Sequence, residues 1–369
     1  MAANTILVDF SVSRAAITDS GQKKGLKNGI RTVLSAYLPG LKNKYSDELE
    51  DGSFVELLQG DEGVLVSLRG YAQGLVTCSI EYFKRDGDKP VLTYESIRKL
   101  ETELGEKLGS ARTHALPCLT RGGLIYKYFP SADERILEYD IDKVVFEEKS
   151  PFQKVLIVHS RSLGNMLVLD DLQNISESDL VYTEMLMQRG KECYEGKEVV
   201  ILGGGDGALL WELLKEKPKF VTMLEIDEVV IRACRKHLRS CCGTCLDTYK
   251  GDNYEIIIGD CVEVLKKFIA EGRKFDYVFG DLTDIPISTS PQGELWDFIR
   301  LILNSSVAVL KPNGKYMTHG NGASCPESLR MYEDQLTKLD TKVEFSRSRA
   351  FVPSFMEEWV FYQVWKKDN

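Results

Sequence analysis

Long apolar runs, a basic leader, a regular cysteine framework and a surplus of positive charge are all missing from this sequence, and each absence narrows what the chain can be. No stretch reaches the ~18 apolar residues that a membrane span needs, and the opening MAANTILVDF has no basic n-region. A cytoplasmic protein, neither secreted nor membrane-spanning, is expected. The nine cysteines are odd in number and irregular in spacing, which fits free thiols in a reducing compartment better than a disulfide scaffold. Cys241, Cys242 and Cys245 contain one C-x-x-C. Neither a second such pair nor a histidine pair completes a zinc site, so they read as thiols near a helix end and no metal is expected. Internal repeats and low-complexity tracts are absent too. Against 56 Asp and Glu stand only 47 Lys and Arg, a net charge of −9, and that sign repels the phosphates of nucleic acid and anionic membrane. Neither is expected as a partner, whereas cationic small molecules are compatible.

What the chain does have is enough apolar content, 43% over 369 residues, to bury cores for two or three domains. Residues 61 to 84 read as two strands, Asp86-Gly87 as a turn and Tyr94 to Leu108 as a helix, together a small α+β domain over 1–121. Between Gly123 and Asp171 the β-branched and aromatic segments LIYKYF, RILEYDIDKVVFEE, KVLIVHS and GNMLVLDD predict a small antiparallel sheet, domain 122–177. From 178 to 369 the pattern becomes strand, turn, helix, repeated: EVVILGGG then ALLWELLKEK, FVTMLEID then VVIRACRKHL, YEIIIGD then VEVLKKFIAEG, FDYVFGD then WDFIRLILNSSVAVL, then GKYMTHG. This alternation predicts an α/β domain, Rossmann-like and of the methyltransferase type, with a parallel sheet wrapped by helices. VEFSRSRAFVP and EEWVFYQVWKK follow as two more strands joined at Pro353.

Ligands of an open α/β sheet bind at the carboxyl ends of its strands. The first such end is Gly203-Gly204-Gly205-Asp206-Gly207, where missing side chains let a ligand approach the backbone and the next helix offers free N–H groups. Taken alone, that turn suits a dinucleotide, an adenosyl nucleotide or mere tight packing. The second end, Glu225-Ile226-Asp227, lies about twenty residues on, where an acid can take both hydroxyls of a ribose. Asp260, before Cys261, can accept from an adenine amino group, and the fourth end is Gly280-Asp281-Leu282-Thr283-Asp284. Four successive strand ends thus each offer a carboxylate, which points to a site rather than to solvated surface acids.

Asp206 discriminates among adenosyl ligands. It falls where a methyltransferase accommodates the amino-acid tail of S-adenosylmethionine, whose carboxylate it would repel. Decarboxylated S-adenosylmethionine carries only an ammonium on that tail, so Asp206 would attract it or an amine acceptor. Aminopropyl transfer is therefore favoured over methyl transfer. An alkylamine has a pKa near ~10, and freeing it at pH 7 costs roughly 4–5 kcal/mol, so a carboxylate should hold the cation and take its proton. Asp281 is the candidate. No cofactor is expected, because the nucleotide is a co-substrate whose sulfonium is already a good leaving group.

At these residues the sequence resembles the aminopropyltransferase (spermidine/spermine synthase) family, and within it the animal spermine synthases, over nearly all of the chain from Arg121 onward. The motifs are RGGLIYKYFPSADERILEYDIDKVV, SPFQKVLIVHS, VILGGGDGALL, VTMLEID, GDLTDIPISTSP and PSFMEEWVFYQVWKK. The resemblance implies polyamine biosynthesis by aminopropyl transfer from decarboxylated S-adenosylmethionine to spermidine, giving spermine and 5′-methylthioadenosine. Spermidine or thermospermine formation is the alternative, and a non-catalytic polyamine-binding regulator a further one. It also implies that Gln153, Tyr182, Glu225, Asp260 and Cys261 bind the nucleotide or line its junction with the amine. Tyr182, Asp206, Asp281 and Glu357 would hold the polyamine, with Asp281 the proton acceptor. Glu358 competes for the place of Glu357, which counting from Pro353 favours. Phe355 departs from the family, which usually has Tyr there; the lost hydroxyl predicts altered acceptor affinity rather than another reaction. A decarboxylase-like N-terminal domain forming a homodimer is implied as well, although residues 1–120 carry no catalytic cluster of their own.

Overall fold

The computed structural model of the chain describes residues 2–85, 87–282 and 294–367. They form two compact units, Met1–Tyr126 and Lys127–Asn369, so the unit boundary follows Tyr126, and the regions read as 122–177 and 178–369 share the second unit apart from residues 122–126.

The first unit is a sheet with helices on one face. Its strands run in the order Lys42–Glu48, Phe54–Gln59, Leu65–Tyr71, Leu75–Lys84, Ala2–Ser11 and Thr113–Ala115, with Leu119–Arg121 also pairing to Ala2–Ser11. The two strands expected in 61–84 are there, and the others were not foreseen. Ser20–Tyr37 starts where the Asp19 side chain accepts from Gln22 N–H at 2.9 Å, and Tyr94–Leu108 is capped by Thr93 and stopped by left-handed Gly109. Leu26, Ile30, Leu34, Leu100 and Leu104 from these helices pack on Ile6, Val8, Val66, Cys78 and Ile80 of the sheet. Glu56 is fully buried but bonded to Arg31 at 2.7 Å and Lys27 at 3.2 Å, as a buried carboxylate must be.

The second unit opens with a hairpin, Tyr128–Pro130 against Ile136–Glu138, then a four-stranded antiparallel sheet of Ile141–Lys149, Lys154–Ser160, Gly164–Leu169 and Leu172–Ser176. The segment RILEYDIDKVVFEE therefore serves two sheets, with buried Tyr139 at the junction donating its hydroxyl to the Ser354 carbonyl at 2.6 Å.

After a helix at Leu180–Leu186 comes the α/β sheet: β1 (Glu198–Gly203), α1 (Ala208–Lys215), β2 (Phe220–Glu225), α2 (Glu228–His237), β3 (Tyr254–Ile258), α3 (Cys261–Ala270), β4 (Phe275–Asp281), α4 (Glu294–Ala308), β5 (Leu310–Gly322), α5 (Pro326–Thr337), β6 (Val343–Val352) and β7 (Glu357–Lys366). Strand order is β3-β2-β1-β4-β5-β7-β6. The first five strands are parallel, and β7 inserts antiparallel between β5 and β6. Val199 and Ile201 face one apolar core while Val200 and Leu202 face another, the burial on both sides that a parallel sheet requires. Because β7 runs backwards, its first residue lies at the same edge as the last residues of β1 to β4. Among the described residues no helix is long and apolar enough to cross a membrane.

Candidate active site

That edge is the floor of a cavity of about 720 Å³, walled on its other sides by the hairpin, the four-stranded sheet and the turn before β7. β1 leaves the sheet at Gly203 and Gly204, both left-handed (φ 81° and 77°), and the Gly204 N–H donates to the Asp281 carbonyl at 3.2 Å. A Cβ on Gly203 would stand 2.3 Å from that carbonyl oxygen, and one on Gly205 would stand 2.7 Å from Glu225 Oε2. The glycines are thus demanded first by the protein's own close packing, which also brings β1, β2 and β4 within reach of one ligand. Asp206 follows in the turn and accepts from the Ala208 N–H at 2.7 Å, opening α1 in place of Gly207, which has no side chain to do so. Burial raises its carboxyl above the ordinary range.

Glu225 is buried, and its two oxygens accept from the N–H groups of Gly205 (3.0 Å) and Asp227 (2.8 Å). Burial raises it to about 7, against the pull of the Asp227 and Gly205 N–H groups that favour its ionised form. Each oxygen keeps a lone pair for a ligand hydroxyl. Asp227 caps α2 through Val229 N–H and accepts from Ser150 Oγ (2.7 Å) and Gln153 Nε2 (3.0 Å), which holds Gln153 in the cavity wall. Asp260 caps α3 through Val262 N–H at 2.8 Å, and beside it the buried Cys261 thiol is pushed up to about 12 by burial and then by Asp260. It is a wall group, not a nucleophile.

At the end of β4, the Asp281 carboxylate accepts from the Tyr182 hydroxyl at 3.0 Å, its one side-chain bond among the described residues. Burial and then Asp206 raise it to about 8. The Tyr182 ring packs edge-on against Phe361 (5.4 Å between centroids) and Phe355 (6.0 Å). Left-handed Met356 (φ 53°) turns the chain so that Phe355 and Glu357 both line the cavity. Glu357 is buried and accepts from Ser324 N–H at 3.0 Å, whereas Glu358 is exposed and pairs with Arg349 at 3.3 Å. Of the two, Glu357 is the one at the site.

Gln153, Tyr182, Gly203, Gly204, Gly205, Asp206, Glu225, Asp260, Cys261, Asp281, Phe355 and Glu357 therefore share one cavity, while Thr283 and Asp284 lie outside the described residues. Three wall residues had been passed over as site residues or never singled out. Glu134 and Asp170 add two more carboxylates, and His319 lies near the carboxyl end of β5, where the same strand-end rule should have found it. Among the described wall residues there is no lysine or arginine to balance these acids. Such a site favours a polycation, and it can both hold an ammonium and take a proton from it. The Cys241, Cys242 and Cys245 cluster is elsewhere: Cys242 Sγ donates to Cys234 O (3.6 Å) and Cys245 Sγ to Gly207 O (3.4 Å), packing beneath the glycine turn, with burial raising both thiols.

Residues 179–369 match the family model "Spermine/spermidine synthase domain", and residues 127–177 match "Spermidine synthase tetramerisation domain". The chain is 30% identical over 227 residues to a polyamine aminopropyltransferase of Aeropyrum pernix, covering 60% of this chain and 68% of that one. It is 26% identical over 233 residues to a thermospermine synthase of Arabidopsis thaliana, covering 62% and 66%. Among solved structures, spermidine synthase from Thermotoga maritima superimposes with a TM-score of 0.54 at 21% identity, over 67% of this chain and 80% of that one, and so shares the fold.

Proposed function

This chain belongs to the spermine/spermidine synthase family of polyamine aminopropyltransferases, and from that premise we propose that it transfers the aminopropyl group of decarboxylated S-adenosylmethionine to spermidine, as animal spermine synthases do. The observation that carries this reading is the cavity whose carboxylates, Asp206, Glu225, Asp260, Asp281 and Glu357 among them, face no described lysine or arginine. In it, Gln153, Glu225, Asp260, Cys261 and the backbone of Gly203 to Gly205 bind the nucleotide. Tyr182, Asp206, Phe355 and Glu357 hold the acceptor, and Asp281 is the base.

The acceptor nitrogen attacks the carbon beside the sulfonium, that carbon–sulfur bond breaks, 5′-methylthioadenosine leaves, and the nitrogen's proton passes to Asp281. A carboxyl raised to about 8 lies roughly two units below an alkylamine, so this proton transfer costs about 3 kcal/mol where an ordinary carboxylate would make it about 8. Glu357, from the turn before β7, supplies a carboxylate apart from the reacting nitrogen, suited to another ammonium of a longer amine. The first unit supports the same choice, because both family models begin at residue 127 or later, and a domain added ahead of them resembles the spermine synthases rather than the shorter spermidine synthases. The open face of its sheet exposes Leu65, Leu75 and Phe83, which supports assembly of two copies through it.

Incubating the purified chain with donor and either spermidine or putrescine, then separating the products, tests the reading. Spermine and methylthioadenosine from spermidine are expected. Thermospermine as the product would reassign the reacting nitrogen of spermidine, and turnover of putrescine alone would reassign the acceptor.

A further inference from the structure

Three successive carbonyls around Asp281 are each pinned by a different partner. The parallel register of β4 with β5 ends at the pair Gly280 and Thr318, beyond which β4 pairs with β1 alone, through Asp281 and Gly203. Thr318 Oγ1 donates to the Gly280 carbonyl at 2.8 Å, Gly204 N–H to the Asp281 carbonyl at 3.2 Å, and His319 Nε2 lies 3.0 Å from the Leu282 carbonyl. His319 is buried, its ring is 5.8 Å from that of Tyr182, and its Nδ1 is 3.3 Å from the indole Nε1 of Trp359.

The tautomer follows from these partners. The Trp359 N–H can only donate, so Nδ1 accepts and Nε2 carries the hydrogen toward Leu282. The Gly320 carbonyl, 3.2 Å from Nδ1, would favour the other form. That form, however, sets two N–H groups against each other at Trp359 and a lone pair against the Leu282 oxygen, two conflicts in place of one. Burial lowers the ring to about 4, so it stays uncharged in the wall of a cavity built for a cation.

We propose that His319 is a positioning residue for the transfer: as a neutral ring held by Trp359, it fixes both the backbone that follows Asp281 and the face of Tyr182, the two features that aim the Asp281 carboxylate. A purely structural histidine would contact one neighbour or the other. This one touches both supports of the base, from the strand that carries neither. The proposal rests on the aminopropyl-transfer reading for its kinetic test only.

The test compares His319→Leu, which removes the donor, with His319→Gln, whose amide N–H can reach the Nε2 position. His319→Leu should lower kcat about tenfold or more, since small misplacements of a reacting group cost that much, with methylthioadenosine affinity within about twofold of the parent. His319→Gln should restore kcat to within about threefold. Trp359→Phe should lower kcat in the parent but add nothing in the His319→Leu background, the non-additivity of groups acting as one unit. Independently of turnover, carbon-13 titration of Asp281 in the ligand-free protein, where Asp206, Glu225 and Tyr182 are the ionisable groups facing it, should show its midpoint moved in His319→Leu and restored in His319→Gln. Equal behaviour of the Leu and Gln variants, or an unmoved midpoint, overturns the proposal. If His319→Leu shows this midpoint shift but the parent transfers no aminopropyl group, the function is overturned and the positioning role stands.

Discussion

Asp281 keeps its proton to about pH 8 because desolvation and then the charge of Asp206 outweigh the Tyr182 hydrogen bond that favours its ionised form. The ligand-free enzyme therefore stores the base in its protonated form at neutral pH, and an arriving ammonium stabilises the carboxylate it needs. Asp281→Asn should reduce turnover by about 10²–10⁴-fold and remove the rise of kcat/KM with pH through the neutral to alkaline range, while methylthioadenosine still binds. Initial rates across pH with parallel calorimetry would check both, and a variant that turned over normally would show another group to be the base. Phe355 stands 4.6 Å from Trp359 and 6.0 Å from Tyr182 between ring centroids, filling the cavity wall proposed for the acceptor without a polar handle. Phe355→Tyr should lower the acceptor KM by about 2–10-fold, one hydrogen bond's worth, with kcat nearly unchanged. An unchanged KM would place the new hydroxyl out of the acceptor's reach.

At the scale of elements, the glycine turn is the stiffest part of the site. Gly203→Ala combines a left-handed backbone with a Cβ 2.3 Å from the Asp281 carbonyl oxygen, and should cost about 3 kcal/mol of stability together with most activity. Urea unfolding would measure the loss, and a variant as stable as the parent would mean that the turn yields. Much of the α/β sheet was legible because strands buried on both faces read as apolar runs, and their glycine and acid endings placed Asp206, Glu225, Asp260 and Asp281 on one edge before any coordinates. The N-terminal sheet was not. Lys42–Glu48 is exposed along its whole length, so KNKYSDE carries no hydrophobic pattern and becomes a strand only by pairing with Phe54–Gln59. RILEYDIDKVVFEE read as continuous β, and nothing local reveals that Tyr139 will be claimed by the Ser354 carbonyl far along the chain. His319 was missed for a different reason: it sits beyond the four acidic strand ends, and attention to charge passed over an uncharged ring.

Across the molecule, the site sets acidity against stability. Asp281 and Glu225, raised to about 8 and about 7, retain protons in the folded state that the unfolded chain releases near pH 4. Their contribution to stability is whole below that range and is lost as pH rises through 7 and 8, since the folded state then binds more protons than the unfolded one. The melting temperature of the ligand-free protein should therefore fall between about pH 5 and pH 9, and Asp281→Asn should flatten the decline while raising stability at the alkaline end, the exchange of activity for stability seen when a strained site group is removed. An equal slope in the variant would place the proton elsewhere. One topological detail reaches further. Because β7 runs against its neighbours, the acceptor side proposed for the cavity takes Phe355 and Glu357 from the short turn Pro353–Phe355 and the start of β7, whereas the proposed nucleotide side draws mainly on the ends of β1, β2 and β3, much earlier in the sequence. Amine preference can thus diverge between lineages through changes in that one turn while the nucleotide half is inherited intact, and a library randomised there is the shortest route to enzymes that build polyamines of other lengths.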